Sequence, residues 1–160
     1  MSNKFFLDCE FDGFGGDLIS LSLVRQDGQA LYLVYKDTAT DLWVRENVIP
    51  ILWDIPLDQM DAGKTEGPEA TDRFPHLIAR FLTSGHDGHD TGVPYIIADW
   101  PDDIKYLCQQ VITGPGTMAA IPRMQFDVVR VDSWPNDIPN AVQHNAYWDA
   151  RALKRKLTGY

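Results

Sequence analysis

Cysteine is nearly absent from this chain: Cys9 and Cys108 are its only two thiols. A disulfide framework, which staples small loop-rich folds through several cysteine pairs, is therefore excluded, and a reduced, cytoplasmic protein is the default expectation. Long apolar runs are absent too. No stretch approaches the roughly 20 consecutive apolar residues of a membrane-crossing helix, so no membrane partner is expected. In MSNKFFLDCEF, Asp8 and Glu10 interrupt the apolar run almost at once, which does not read as a signal peptide. Positive charge is scarce: 14 Lys and Arg stand against 23 Asp and Glu, a formal net charge of −9. Tight binding to long duplex DNA relies on neutralising phosphates and is disfavoured by that balance. A metal-dependent enzyme acting on a short substrate is not, because metal-binding carboxylates keep a site negative until cations fill it. Internal repeats and low-complexity segments are also missing.

What is present is enough apolar material, 44% of 160 residues, for one core in a single domain spanning 1–160. KFFLDCEF alternates as a strand, with Phe5, Leu7, Cys9 and Phe11 on one face and Lys4, Phe6, Asp8 and Glu10 on the other. Cys9, inside that strand, reads as a buried thiol. LISLSLV and ALYLVY are further strands, joined by a DGFGG turn and by Asp27-Gly28, a hairpin signal. Thr40 or Asp41 is placed to cap a helix carrying Leu42, Trp43, Val44, Val48 and Ile49, which Pro50 ends. Residues 54–68 read as a loop and 69–82 as a helix whose start Pro75 can shift. VPYIIAD is a buried strand, 101–112 a helix opened by Asp99 or Trp100, GPGTMAAIP a loop, MQFDVVRV a strand, and NAYWDARALKRKL the last helix. A meander followed by alternating helices and strands predicts an α/β fold: a mixed sheet with helices on its faces.

Asp8 and Glu10 share one strand face, since side chains repeat every second residue. Two like charges there repel unless paired, and hard divalent cations prefer carboxylate oxygen. The last helix adds Asp149 beside an apolar stripe of Ala146, Ala150, Leu153 and Leu157. His144 precedes it, where the chain is free to project the imidazole, a fitting general base for activating water. Asp99, Asp102 and Asp103 compete as a further acid. Asp103 is preferred: on a helix it lies roughly 100° from the centre of the face formed by Ile104, Leu107, Cys108 and Val111, with Asp102 nearly opposite. It should reach the boundary of core and cleft, while Asp102 faces solvent and Asp99 ends the strand or caps the helix.

Taken together, F-x-D-x-E in the first strand, an Asp in a middle helix, and H-N-A-Y-W-D-A near the end resemble the DEDDh 3′–5′ exonucleases. These include the proofreading subunit of DNA polymerase III, RNase T and oligoribonuclease. H-x-A-x-x-D-A matches their third motif at every defined position. WVRENVIPIL and the small size look most like the small mycobacterial-type exoribonucleases. The resemblance implies a ribonuclease H-like fold with a mixed five-stranded sheet. It implies two Mg²⁺ or Mn²⁺ ions held by Asp8, Glu10, Asp103 and Asp149, with Asp8 bridging them, Glu10 and Asp149 on the ion carrying the attacking water, and Asp103 on the second. His144 takes the proton of that water. The substrate implied is the 3′ end of a single-stranded RNA or DNA, and a homodimer stays open. The alternative is a catalytically silent ribonuclease H-like module that binds nucleic acid or protein; a two-carboxylate glycosidase fits the spacing less well.

Other features read more plainly. His86, Asp87, His89 and Asp90 sit among glycines and read as a loop. Of the five tryptophans, Trp43, Trp53, Trp100, Trp134 and Trp148, most are expected in the core, with Trp148 pointing away from the apolar stripe. Arg151, Lys154, Arg155 and Lys156 complement the dipole of the last helix. Residues Phe11 to Phe14 are placed, by analogy, to contact a terminal nucleotide.

Overall fold

The computed structural model describes residues 3–59, 65–84 and 92–160. The residues from His86 to Asp90 lie outside the described residues. Three strands form the expected meander: β1 (Asn3–Phe11), β2 (Leu18–Arg25) and β3 (Ala30–Val34). A short strand β4 (Thr65–Glu66) pairs parallel to β3. On the other side, β5 (Pro94–Ala98) runs parallel to β1. A hairpin of β6 (Ile112–Gly114) and β7 (Thr117–Met118) stands apart, and β8 (Gln125–Val128) closes the edge beside β5. The main sheet has six strands in the order β4-β3-β2-β1-β5-β8. It is mixed, as predicted, but the expected five strands become six because Thr65–Glu66, read as loop, adds to the free edge of β3. Likewise GPGT, read as loop, turns the corner of the small hairpin.

Helices cover both faces. They are α1 (Leu42–Asn47), α2 (Phe74–Thr83), α3 (Pro101–Gln110) and α4 (Ala146–Thr158). Among the described residues, no helix is long and apolar enough to cross a membrane. The alternation of β1 survives intact. Phe5, Leu7 and Cys9 join the core that includes Phe74, Ile78 and Leu82 of α2 and Leu107 of α3. Phe6 faces the opposite way, packing with Ile97 of β5 and Leu153 of α4. Fully burying side chains such as Phe74, Ile78 and Leu82 contributes roughly 1.5–3 kcal/mol each. All eight residues of β2 are buried, because both faces of this inner strand are covered.

Several local readings shift. The helix expected over 69–82 begins as a 3₁₀ segment, Pro68–Arg73, and becomes α-helical at Phe74. Pro75 falls in the first turn, where its missing N–H costs nothing. In α1, capped by Asp41, only Val44 is buried, and Val48 follows it inward; Leu42 and Trp43 stay largely exposed. A six-residue helix offers its neighbours only one i, i+4 row. In α4, Leu157, expected in the apolar stripe, is 38% exposed.

The tryptophans reverse the expectation. Trp43, Trp53, Trp100 and Trp134 are 51%, 46%, 45% and 58% exposed, and Trp148 is 4% exposed. The four exposed indoles sit at helix starts or in turns, where no second layer covers them. Trp148 is buried because the segment after α1 wraps over that side of α4, with the indole Nε1 donating to the Asp54 carbonyl at 2.6 Å.

Candidate metal centre

Register puts the acids where a helix can meet them. Asp8 and Glu10 of β1 stand opposite Ser22 and Ser20 of β2. These serines are fully buried on the face that α4 covers. Small side chains there leave room for two carboxylates beneath a helix. At the helix, Ala146 and Ala150 are fully buried, so the backbone of α4 comes close to the sheet.

The segment HNAYWD is a locally determined unit. Asn145 is the N-cap of α4: its Oδ1 accepts from the backbone N–H groups of Tyr147 and Trp148. Its Nδ2 donates to the carbonyls of Ile51 and Leu52, which ties the start of α4 to the turn after α1. His144 has φ of 62°, a left-handed conformation that costs a non-glycine residue on the order of 1–3 kcal/mol. In this conformation its N–H donates to Asp149 Oδ2 at 3.1 Å. The imidazole stands edge-on to Trp43, ring centroids 4.9 Å apart at 81°. Motif spacing thus serves two ends: it caps the helix and fixes Asp149 relative to His144.

The carboxylates gather in two sets. One oxygen from each of Asp8, Glu10 and Asp149 lies within 4.8 Å of the others, and so does one from each of Asp8, Asp99 and Asp103. Asp8 belongs to both. The four acids of the sequence reading are therefore brought together, and Asp99 joins them. Of the two residues expected to open α3, Trp100 is the N-cap, with no side-chain cap, and Asp99 directly follows the end of β5. The missed signal is parity. Phe6 pairs with Ile97 in the parallel β1–β5 ladder, and both point toward α4. Asp8 and Asp99 are each two residues further, so they share that face. Asp103 lies deeper than the core boundary, only 2% exposed, because α3 buries the side bearing Asp103, Tyr106 and Leu107. Asp102 is half-exposed and accepts a hydrogen bond from the indole of Trp100.

Crowding distorts the acidities. Burial, then the charges of Asp103, Asp149, Glu10 and Asp99, hold Asp8 well above the usual carboxylate range. Glu10 is raised by burial and by Asp149 and Asp103. Burial, with Asp99 adding, pushes Asp103 up to about 8. Burial raises Asp149 to about 7, although the N–H of His144 opposes it. Asp99 is raised by burial, with Ser133 and Arg130 pulling the other way. Two buried oxygens, Asp8 Oδ2 and Asp103 Oδ2, have no hydrogen-bond partner among the described residues. Buried carboxylate oxygens without partners are costly, and close acids repel. A divalent cation satisfies both demands: the donor set is all oxygen, as Mg²⁺ and Mn²⁺ prefer.

Asp8, Asp99 and Asp149 open onto a cleft of about 430 Å³ that also includes Trp100, Arg130, Trp134 and His144. Arg130 caps the Trp100 ring, its guanidinium carbon 4.7 Å from the centroid. Cys9 is buried, as expected, and its thiol donates to the Asp103 carbonyl at 3.8 Å. Both cysteines are free. No family model matches this chain, and no curated protein matches it.

Proposed function

We propose that this protein is a metal-dependent 3′–5′ exonuclease with a ribonuclease H-like fold, acting on short or single-stranded nucleic acid, RNA foremost, in the cytoplasm. The observation that carries the reading is the pair of carboxylate sets sharing Asp8, with partnerless buried oxygens on Asp8 and Asp103. The three-strand meander beside parallel strands, with helices on both faces, supports the fold. The H-N-A-Y-W-D-A segment, with His144 and Asp149 lining the same cleft as Asp8, supports the reaction.

Asp8, Glu10 and Asp149 would hold one cation, and Asp8, Asp99 and Asp103 a second. When bound, the cations supply charge neutralisation at the phosphate and acidify water. His144 accepts the proton of the attacking water. The water oxygen bonds to phosphorus, the P–O3′ bond breaks on the opposite side, and the departing 3′-oxygen is protonated from solvent. A nucleoside 5′-monophosphate is released, and the remaining chain keeps a 3′-hydroxyl. Trp43 limits how far the imidazole can turn. Arg130 supplies positive charge at the cleft wall, where it acts on Asp99.

A digestion panel tests this. RNA and DNA oligomers labelled at either end are incubated with Mg²⁺, Mn²⁺ or a chelator. Stepwise loss of 3′ mononucleotides that the chelator stops is the expected result. Intact oligomers in every metal, or endonucleolytic fragments, would refute it.

A further inference from the structure

Two clefts meet at one short segment. Asp132, Ser133 and Trp134 line the carboxylate cleft and also a neighbouring cleft of about 430 Å³. The second cleft runs to Arg155 and Lys156, both exposed, near the end of α4. Trp134 stands at the junction. Its indole is 58% exposed, yet its backbone is anchored by a 3₁₀ turn, Pro135–Asp137, flanked by buried Pro135 and Ile138. A large aromatic surface held in water on a fixed backbone suits stacking of a flat ring. Arg155 is fixed as well, donating to the Asp137 carbonyl at 3.2 Å. In a chain of net charge −9, these adjacent cations offset the acids Asp132 and Asp137 in a cleft beside an acidic site. Asp132 and Asp137 line the same cleft, with Arg155 held beside the Asp137 carbonyl.

The carboxylate cleft is asymmetric. At the His144 side, Trp43 closes against the imidazole. At the Trp134 side, it continues.

Resting on the exonuclease reading, we propose that the unreleased part of a single-stranded oligonucleotide leaves the site over Trp134, where a base stacks, and places backbone phosphates at Arg155 and Lys156. The site therefore discriminates by length. A dinucleotide ends near the carboxylates, whereas a longer strand gains both contacts. Stacking on one aromatic face strengthens binding roughly tenfold. Contact with two phosphate-binding cations adds a salt-dependent increment.

The test is fluorescence anisotropy of labelled uridylate dimer and octamer with Ca²⁺ replacing Mg²⁺ to slow turnover, alongside cleavage of both in Mn²⁺. The octamer is expected to bind at least tenfold tighter than the dimer. In Trp134→Ala that advantage shrinks about tenfold, and Trp134→Phe restores most of it. In Arg155→Ala/Lys156→Ala the salt dependence of octamer binding falls. Equal affinities for dimer and octamer, or an unchanged advantage in both variants, overturn the path; cleavage in that event leaves the exonuclease standing. Trp134-dependent binding without cleavage removes the exonuclease and keeps the path.

Discussion

Asp8 and Asp99 face one another from adjacent parallel strands, each two residues beyond the paired Phe6 and Ile97. Neither strand alone makes a site. Side by side they set a carboxylate of β1 against one at the end of β5, with Asp103 beneath and Asp149 above on a helix.

Asp8→Asn tests the shared ligand. Activity in Mn²⁺ should fall by at least on the order of a hundredfold, because both sets lose a member. Without metal, at pH 8, the variant should melt higher than the wild type, since a crowded acid is removed. Near wild-type turnover, or a lower melting temperature without metal, would misplace the site.

The acid trio separates by position. Asp103→Asn and Asp99→Asn should both weaken Mn²⁺-linked stabilisation and activity, Asp103→Asn more severely. Asp102→Asn should stay close to wild type, since its side chain is half-exposed, accepts from the Trp100 indole and lies outside both carboxylate sets. Metal titrations followed by thermal melting, paired with initial rates, give the ranking; a dead Asp102→Asn would contradict it.

Stability should depend on pH with a definite sign. Asp149 and Asp103 are raised to about 7 and about 8, with Asp8 and Glu10 also raised. In the unfolded chain these acids titrate at about 4. Between those values the folded protein binds more protons than the unfolded one, so the stability these groups contribute is complete below about pH 4 and lost as pH rises through about 7 to 8. Metal-free protein should melt higher at pH 5.5 than at pH 8.5. Mn²⁺ binds the ionised acids, so it should raise the melting temperature most at pH 8.5 and release protons on binding. A metal-free melting temperature that rises with pH across this window would count against the buried cluster.

His144→Ala should lose at least on the order of a hundredfold in kcat with KM little changed, as expected for a lost general base. Its Mn²⁺-linked melting shift should persist, because the imidazole is not among the clustered ligands. Loss of that shift together with activity would assign His144 to metal binding or to the fold.

Asn145→Ala removes a helix cap and two tethering hydrogen bonds, to the carbonyls of Ile51 and Leu52, which still accept from the Asp54 N–H and the Tyr32 hydroxyl. A destabilisation of about 1–2 kcal/mol is expected, chiefly from the lost cap. Denaturant unfolding measures it; a change within about 0.5 kcal/mol, the usual scatter of neutral surface substitutions, would show that α4 is held by packing alone.

Local periodicity was enough to read much of this molecule. The two-residue repeat of FFLDCEF determined that Asp8 and Glu10 share a face and that Phe5, Leu7 and Cys9 take the other, because a strand's pleat leaves no alternative. Asn145, read as the first residue of the last helix, is instead its N-cap, a role its side-chain chemistry favours. Contacts between distant segments were another matter. Thr65–Glu66 is a strand only because β3 offers an unpaired edge, and Trp148 is buried only because the chain after α1 crosses over α4. Asp99 enters the carboxylate cluster through the register of β5 against β1, a pairing between residues about ninety positions apart that no local pattern encodes. Side-chain type and spacing decided which acids point the same way along one element; only the tertiary fold, by fixing register and layer, decided which acids meet.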